Sequence, residues 1–127
     1  MERCLLIVAG FGFRSSASID SLRDVFEKVI AELNFAKLKA FSVPKGKECI
    51  VRRLAAIYNV SLISVDIEKQ HNVVTVTQSY YSFREKGVGS VAEYVALAAI
   101  GSDAELLLKR KVSADRLATC AVAYRRC

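Results

Sequence analysis

The chain has 127 residues, of which 53% are hydrophobic and 25% charged, and this excludes a disordered chain and leaves room for only one domain. Its 19 basic and 13 acidic side chains give a net charge of +6, which favours nucleic acid, an acidic membrane or a polyanionic small molecule as partner. The longest apolar stretches are too short to cross a membrane, and the N-terminus lacks the pattern of a signal peptide.

Four scattered cysteines form no Cys-x-x-Cys pair, and the lone His71 cannot complete a zinc site of the usual spacing. We therefore expect no metal and no cofactor. Free thiols suit a reducing compartment, so the expected location is the cytoplasm.

The chain opens on an apolar run from Arg3 to Ala9, which predicts a strand covered on both faces, as in a parallel α/β sheet. The segment 10–16 predicts a tight basic turn at the start of a helix, where Arg14 and free N–H groups favour a phosphate or a carboxylate. A dinucleotide site would need a third glycine where Ser15 stands, so it is not favoured. Gly10 and Gly12 either help to bind an anion or only shape the turn, and the sequence does not decide between the two.

An apolar stripe predicts the first helix over Ile19–Leu33, with Ser18 as its N-cap. A second strand covers 38–43 and ends at Pro44. After a turn over 45–48, a second helix ends at Asn59 and should turn three residues inward: Ile50, Leu54 and Ile57. A third strand follows over Ser61–Val65.

The stretch 66–77 is the least certain part of the chain, and its role cannot be read from the sequence. Ser90 and Glu93 form a capping box that opens a helix ending at Gly101. Strands over 105–108 and 117–124 flank a polar turn over 109–116, and the short gap forces an antiparallel hairpin. This order predicts an α/β fold: a single domain, 1–127, with three α/β/α layers, a mixed and mainly parallel five-stranded sheet and a C-terminal antiparallel hairpin.

Ligands of such folds bind beyond the carboxyl ends of the parallel strands. The residues predicted to bind substrate there are glycines and polar or basic side chains of the loops: Gly10, Gly12, Arg14, Lys45, Lys47, Gly89 and Ser90. Each also has an ordinary structural explanation, because loop lysines are usually solvated and the capping box alone accounts for Ser90 and Glu93. No nucleophile–base pair is evident, and Glu48 and Glu93 are only weak candidates for catalysis.

Five ordered segments carry a resemblance that covers essentially the whole chain: Gly10 to Arg14, Lys45 to Glu48, Gly87 to Glu93 with Ala96-Leu97, Leu107 to Lys109, and Ala118 to Ala123. Their set resembles the CobE/CbiG C-terminal family of cobalamin biosynthesis proteins. In that family a lysine and a glutamate match Lys45 and Glu48, and a Ser-Val-Ala-Glu segment matches Ser90 to Glu93.

The resemblance implies a role in building the corrin ring, with a corrinoid or precorrin intermediate as partner and other enzymes of the pathway nearby. A basic rim of Arg14, Lys45 and Lys47 would suit the acetate and propionate groups of such a ligand. Two alternatives stay open: a hydrolase that opens a precorrin lactone with release of acetaldehyde, using water activated by Glu48 or Glu93, and a basic nucleotide- or RNA-binding module. Nucleic acid is not favoured, because no RNA-binding aromatic motif is present. A homodimer is left open.

Overall fold

The computed structural model describes residues 5–33, 38–66, 91–101 and 103–126. These residues form five strands and three helices in the order β1 (Leu5–Phe13), α1 (Ile19–Leu33), β2 (Ala40–Pro44), α2 (Glu48–Tyr58), β3 (Ser61–Val65), α3 (Val91–Ile100), β4 (Glu105–Val112) and β5 (Ala118–Arg126). All but the first residue of the stretch 66–77, whose role the sequence left open, lies outside the described residues.

The strands form one sheet with the order β3-β2-β1-β5-β4. β1 pairs with β2 and β2 with β3 in parallel, whereas β5 is antiparallel to both β1 and β4. Only β5 therefore runs against the other strands. The predicted α/β fold with a mixed, mainly parallel sheet and a C-terminal hairpin is confirmed.

Helices cover both faces of this sheet. Side chains of α1 and α2 pack against Phe11 and Phe41 in the larger core, where the ring of Phe26 lies 4.9 Å from that of Phe41. On the opposite face α3 packs against Val8, Ala40 and their neighbours in a smaller core. These two cores make the three predicted layers.

Helix α1 has the predicted bounds because both of its determinants act locally. Its apolar stripe is buried at Leu22, Val25, Phe26 and Val29. At its start the N–H of Ser21 donates to the Ser18 hydroxyl at 3.3 Å, and the N–H of Ser18 donates back to the Ser21 hydroxyl at 3.3 Å. Ser18 is thus the N-cap in a reciprocal arrangement of the capping-box type.

Helix α2 ends as predicted at Asn59, which adopts the left-handed conformation that commonly closes a helix. Its buried face differs from the prediction, because Ile57 is 54% exposed while Val51 and Ala55 are buried beside Leu54. In the last turn of α2, Tyr58 packs against the core instead, and its ring centroid lies 4.7 Å from that of Phe26.

The prediction of a turn at Gly10-Phe11-Gly12 is wrong, because β1 continues to Phe13. Both glycines lie in the strand and face α3. A Cβ at Gly10 would come within 2.3 Å of the Ala92 carbonyl oxygen and 2.7 Å of the Ala96 nitrogen. Glycine is therefore needed here so that the backbone of α3 can approach the sheet closely.

The predicted polar turn over 109–116 is also wrong in extent, because β4 continues to Val112. Lys111 pairs with Cys120 in the hairpin, and the register shifts on both sides of Leu108. A strand at the edge of a sheet keeps one side in water, so its charged side chains do not interrupt it. Among the described residues, no helix is long and apolar enough to cross a membrane.

Candidate functional site

The carboxyl ends of β1, β2 and β3 meet at one edge of the sheet, which we call the carboxyl edge. The backbone N–H of Lys45, after β2, donates to the carbonyl of Val65 at the end of β3 at 2.8 Å. Lys47 from the same loop donates its Nζ to the carbonyl oxygen of Phe13 at the end of β1, at 3.0 Å. The loops predicted to share a site therefore contact one another.

Lys47, one of the predicted basic residues, contacts Phe13, which precedes another of them, Arg14. Its ammonium lies 5.2 Å from the centroid of the Phe13 ring, within the range of a cation–π contact. Phe13 directly precedes Arg14, so Lys47 contacts the residue next to Arg14. The structure thus places Arg14 and Lys47 at the same edge of the sheet, and their joint contact with a ligand stays a prediction.

The turn between β4 and β5 reaches the carboxyl edge as well, and it brings a residue that the sequence reasoning missed. Arg116 lies in this turn with φ of 63°, and its N–H donates to the Ser113 carbonyl at 2.9 Å. The backbone N–H of Arg14 donates to the carbonyl of Leu117 at 2.9 Å, which fixes β1 beside the turn. No local pattern marks Arg116, because its neighbour Arg14 is remote in the sequence.

A pocket of about 260 Å³ opens between these two arginines. Its lining comes from the end of β1, the first residue of α3 and the hairpin: Gly12, Phe13, Arg14, Val91, Arg116, Leu117 and Thr119. No acidic residue is among them. Within the described residues no carboxylate lies within ion-pair distance of either guanidinium, so no described acidic group offsets the positive charge of the two arginines.

Asp115 holds the hairpin turn in place. Its carboxylate accepts hydrogen bonds from the Ser113 hydroxyl at 2.6 Å, the Ser21 hydroxyl of α1 at 2.5 Å and the Leu117 N–H at 3.0 Å. These donors, the Ser113 hydroxyl first, hold the pKa of Asp115 below its ordinary value of 3.8. The turn that carries Arg116 is therefore tied to the start of α1.

Among known proteins, the family model for the cobalamin synthesis G C-terminus matches residues 7–123. The chain belongs to this family. The match spans both arginines of the pocket and the loop between β2 and α2, and it places this cobalamin synthesis G C-terminal domain in the cobalamin pathway. No curated protein matches.

Solved structures agree with the assignment. This domain is similar to CobE, a protein from the cobalamin (vitamin B12) biosynthetic pathway, at 28% identity and a TM-score of 0.70, covering 97% of this chain and 91% of that one. It is similar at 28% identity and a TM-score of 0.68 to the cobalamin biosynthesis protein chiG from Agrobacterium tumefaciens, over 93% of this chain and 97% of that one. A homologue of cobalamin biosynthesis protein G from Sulfolobus solfataricus matches at 28% identity and a TM-score of 0.70, over 94% of this chain but 36% of its own.

The lysine and glutamate that the resemblance pointed to are both engaged within the domain. Lys45 pairs with Asp66 at 3.8 Å. Glu48 accepts hydrogen bonds from the Ser64 hydroxyl at 2.7 Å and the Gly46 N–H at 3.0 Å. These bonds, that of Ser64 first, lower the pKa of Glu48, so it is an ionised anchor of the loop and a weak base near neutral pH.

The remaining predicted residues are placed only in part. Glu93 is buried, and its Oε2 accepts the backbone N–H of Arg110 at 3.0 Å, which links α3 to the edge strand β4. Gly89 and Ser90 lie outside the described residues, and so does the predicted capping box. Gly10 is buried under α3 and Gly12 lies at the pocket. Direct contact of any of these residues with a ligand stays a prediction.

Proposed function

We propose that this domain binds a corrinoid intermediate of cobalamin biosynthesis at the carboxyl edge, chiefly through the carboxylates around the macrocycle. The observation that carries the proposal is the contact of the Lys47 ammonium with the Phe13 carbonyl, beside Arg14. It unites two of the three basic positions expected to form the rim. Family membership supplies the pathway.

The chemistry of the ligand suits such a rim. Corrinoid intermediates carry several acetate and propionate groups around a flat, largely apolar ring. An exposed ion pair contributes only about 0.2–1 kcal/mol, so several contacts are needed together. Burial of the ring against apolar side chains would add about 25 cal/mol for each Å² removed from water.

Binding is favoured over hydrolysis by the surroundings of the two candidate carboxylates. Glu48 is committed to Ser64 and Gly46, and Glu93 is buried and linked to Arg110. A general base needs a free oxygen within reach of the attacking water. We further propose that the protein works in the cytoplasm and exchanges its ligand with other enzymes of the pathway.

Titration of the purified protein with corrinoid carboxylates, followed by visible absorbance, tests the proposal. We expect a saturable spectral shift. The double variant Arg14→Ala/Lys47→Ala should bind about 2–30-fold more weakly, since each charge contributes about 0.2–1 kcal/mol, and the difference should shrink as salt is added.

The matched control removes two charges from the opposite end of the sheet. Lys39 and Arg126 are exposed there, since the Lys39 N–H donates to the Ile7 carbonyl and Arg126 pairs with Leu5. Lys39→Ala/Arg126→Ala should bind like the unaltered protein. Absence of any spectral shift would refute corrinoid binding, and equal weakening by both double variants would refute the location.

A further inference from the structure

We infer that the pocket between Arg14 and Arg116, which we call the arginine pocket, is a binding site for a single alkyl carboxylate. In the setting of the proposed function, on which this inference rests, that group is one acetate or propionate arm of the corrinoid. The macrocycle itself would lie outside, against the rim that contains Lys47.

The size of the pocket fixes how much of a ligand can enter. A volume of about 260 Å³ with a wide opening accepts a short side chain and not a tetrapyrrole ring. Ligand pockets for whole drug-sized molecules are typically about 300–1,000 Å³. The arginine pocket is therefore a subsite for one substituent.

The lining combines two kinds of contact that a short alkyl carboxylate needs. Arg14 and Arg116 offer guanidinium groups, whose paired N–H donors match the two oxygens of a carboxylate. Val91 and Leu117 offer apolar surface for the CH₂ groups behind it. An inorganic phosphate would use the first kind of contact and leave the second unused, which favours the carboxylate.

The pocket is also built on a fixed frame. The floor is close-packed, because a Cβ at Gly12 would lie 3.1 Å from the Thr119 hydroxyl and 3.2 Å from the Ala92 nitrogen. The Thr119 hydroxyl donates to the Gly12 carbonyl at 3.1 Å. One arginine is held by the backbone bond of Arg14 to Leu117, and the other by the turn that Asp115 organises. A preorganised site loses less entropy when it binds.

Titration of the isotope-labelled full chain with sodium propionate, followed by amide NMR at constant ionic strength, tests the pocket without any pigment. We expect saturable chemical-shift changes in the amide signals of Gly12, Leu117 and Thr119. Arg14→Gln and Arg116→Gln should each weaken propionate binding about three- to tenfold. Arg53→Gln, which removes an exposed arginine from α2, should not change it.

Parallel titrations distinguish the outcomes. Absence of saturable chemical-shift changes, or tighter binding of inorganic phosphate than of propionate, would overturn the carboxylate site, independently of the result for corrinoid binding. Unchanged corrinoid affinity in both glutamine variants would overturn the carboxylate site and leave the proposed function standing. Propionate binding that depends on both arginines, in a protein that binds no corrinoid, would support the carboxylate site and refute the proposed function.

Discussion

The two ends of the sheet each carry a pair of arginines, but the charges around them differ. At the amino end, Arg125 and Arg126 share a pocket of about 410 Å³ with Asp103 and Glu105. At the carboxyl edge, Arg14 and Arg116 line a smaller pocket of about 260 Å³, and none of its described lining residues is acidic. Among the described residues, the larger cavity is therefore balanced in charge and the smaller one is not.

Under the proposed function the smaller pocket belongs to the binding site, so charge rather than cavity size distinguishes the two ends. A balanced pocket gives an anionic ligand little net attraction, because the acids offset the arginines. An unbalanced pocket draws anions, and the turn that carries Arg116 is tied to α1 by the hydrogen bond from the Ser21 hydroxyl to Asp115. The comparison can be tested by disturbing the framework of the carboxyl edge and measuring the stability and the ligand binding of each variant.

The largest effect is expected from Gly10→Ala. The added methyl group would overlap backbone atoms of α3 at 2.3 and 2.7 Å, and a helix backbone cannot rotate away as a side chain can. We expect a loss of about 3 kcal/mol in the free energy of unfolding, measured by urea denaturation. The carboxyl edge should lose its ligand as well, since α3 forms one wall of the pocket.

Gly12→Ala is the matched control for this change. Its methyl group would meet neighbours at 3.1–3.3 Å, which small shifts can relieve, so we expect a loss of about 1 kcal/mol or less. Equal losses for the two variants would contradict the assignment of Gly10 as the point of closest approach between α3 and the sheet.

An intermediate effect is expected from Asp115→Asn, with a pH dependence that identifies the cause. Because the folded protein holds the pKa of Asp115 below 3.8, the stabilisation is fully present above the unfolded pKa. It is lost as the pH falls from about 4 through the folded value. The unfolding midpoint of the variant should be lower than that of the unaltered protein at pH 7, and the gap should narrow towards pH 2.

Ser21→Ala separates the tie to α1 from the order within the turn. It removes the Ser21 hydroxyl, which donates to Asp115 and accepts the Ser18 N–H, and leaves the Ser113 hydroxyl and the Leu117 N–H as donors to Asp115. We expect a smaller loss than in Asp115→Asn. The difference in unfolding midpoint between Asp115→Asn and the unaltered protein is the decisive quantity. If it stays constant from pH 7 to pH 2, the ionised carboxylate is not what stabilises the turn.

The smallest effect is expected from Lys28→Met on the exposed side of α1. Its Nζ donates to the carbonyl of Val112 at 2.9 Å and pairs with Asp24 at 3.7 Å. Since all three groups are partly in water, we expect a loss of about 0.5 kcal/mol in thermal or urea unfolding. Glu105→Gln, which alters a 3.3 Å bond from Tyr124 at the amino end, should change stability less. The reverse order would contradict the view that the carboxyl edge is the braced end.

The sequence predicted the fold well where the determinants are local. The stripe and cap of α1 set its bounds, and Asn59 and Gly101 mark the ends of α2 and α3 through left-handed or positive-φ conformations. The hairpin followed from the short gap between its strands. The prediction that Ile57 turns inward was wrong, because an apolar stripe near the end of a helix does not show which residues the neighbouring elements cover.

The site was less predictable because its determinants are not local. Gly10 and Gly12 indicated a turn, since nothing in the sequence tells a flexible glycine from one that lies beneath a helix. Arg14 and Lys47 were proposed as site residues because each follows a predicted parallel strand. Arg116 reaches the same edge only through the pairing of β5 with β1, which the sequence pattern did not specify.

Arg116 adopts φ of 63°, a conformation that is unfavourable for residues with a side chain and costs glycine nothing. Arg116→Gly should therefore relieve strain and raise the melting temperature while it abolishes half of the positive charge in the pocket. An effort to make this protein more heat-resistant by choosing the best residue for each turn would select that change first. Under the proposed function, thermal stability would then rise while ligand binding weakens, which is a recurrent trade-off at conformationally costly functional residues.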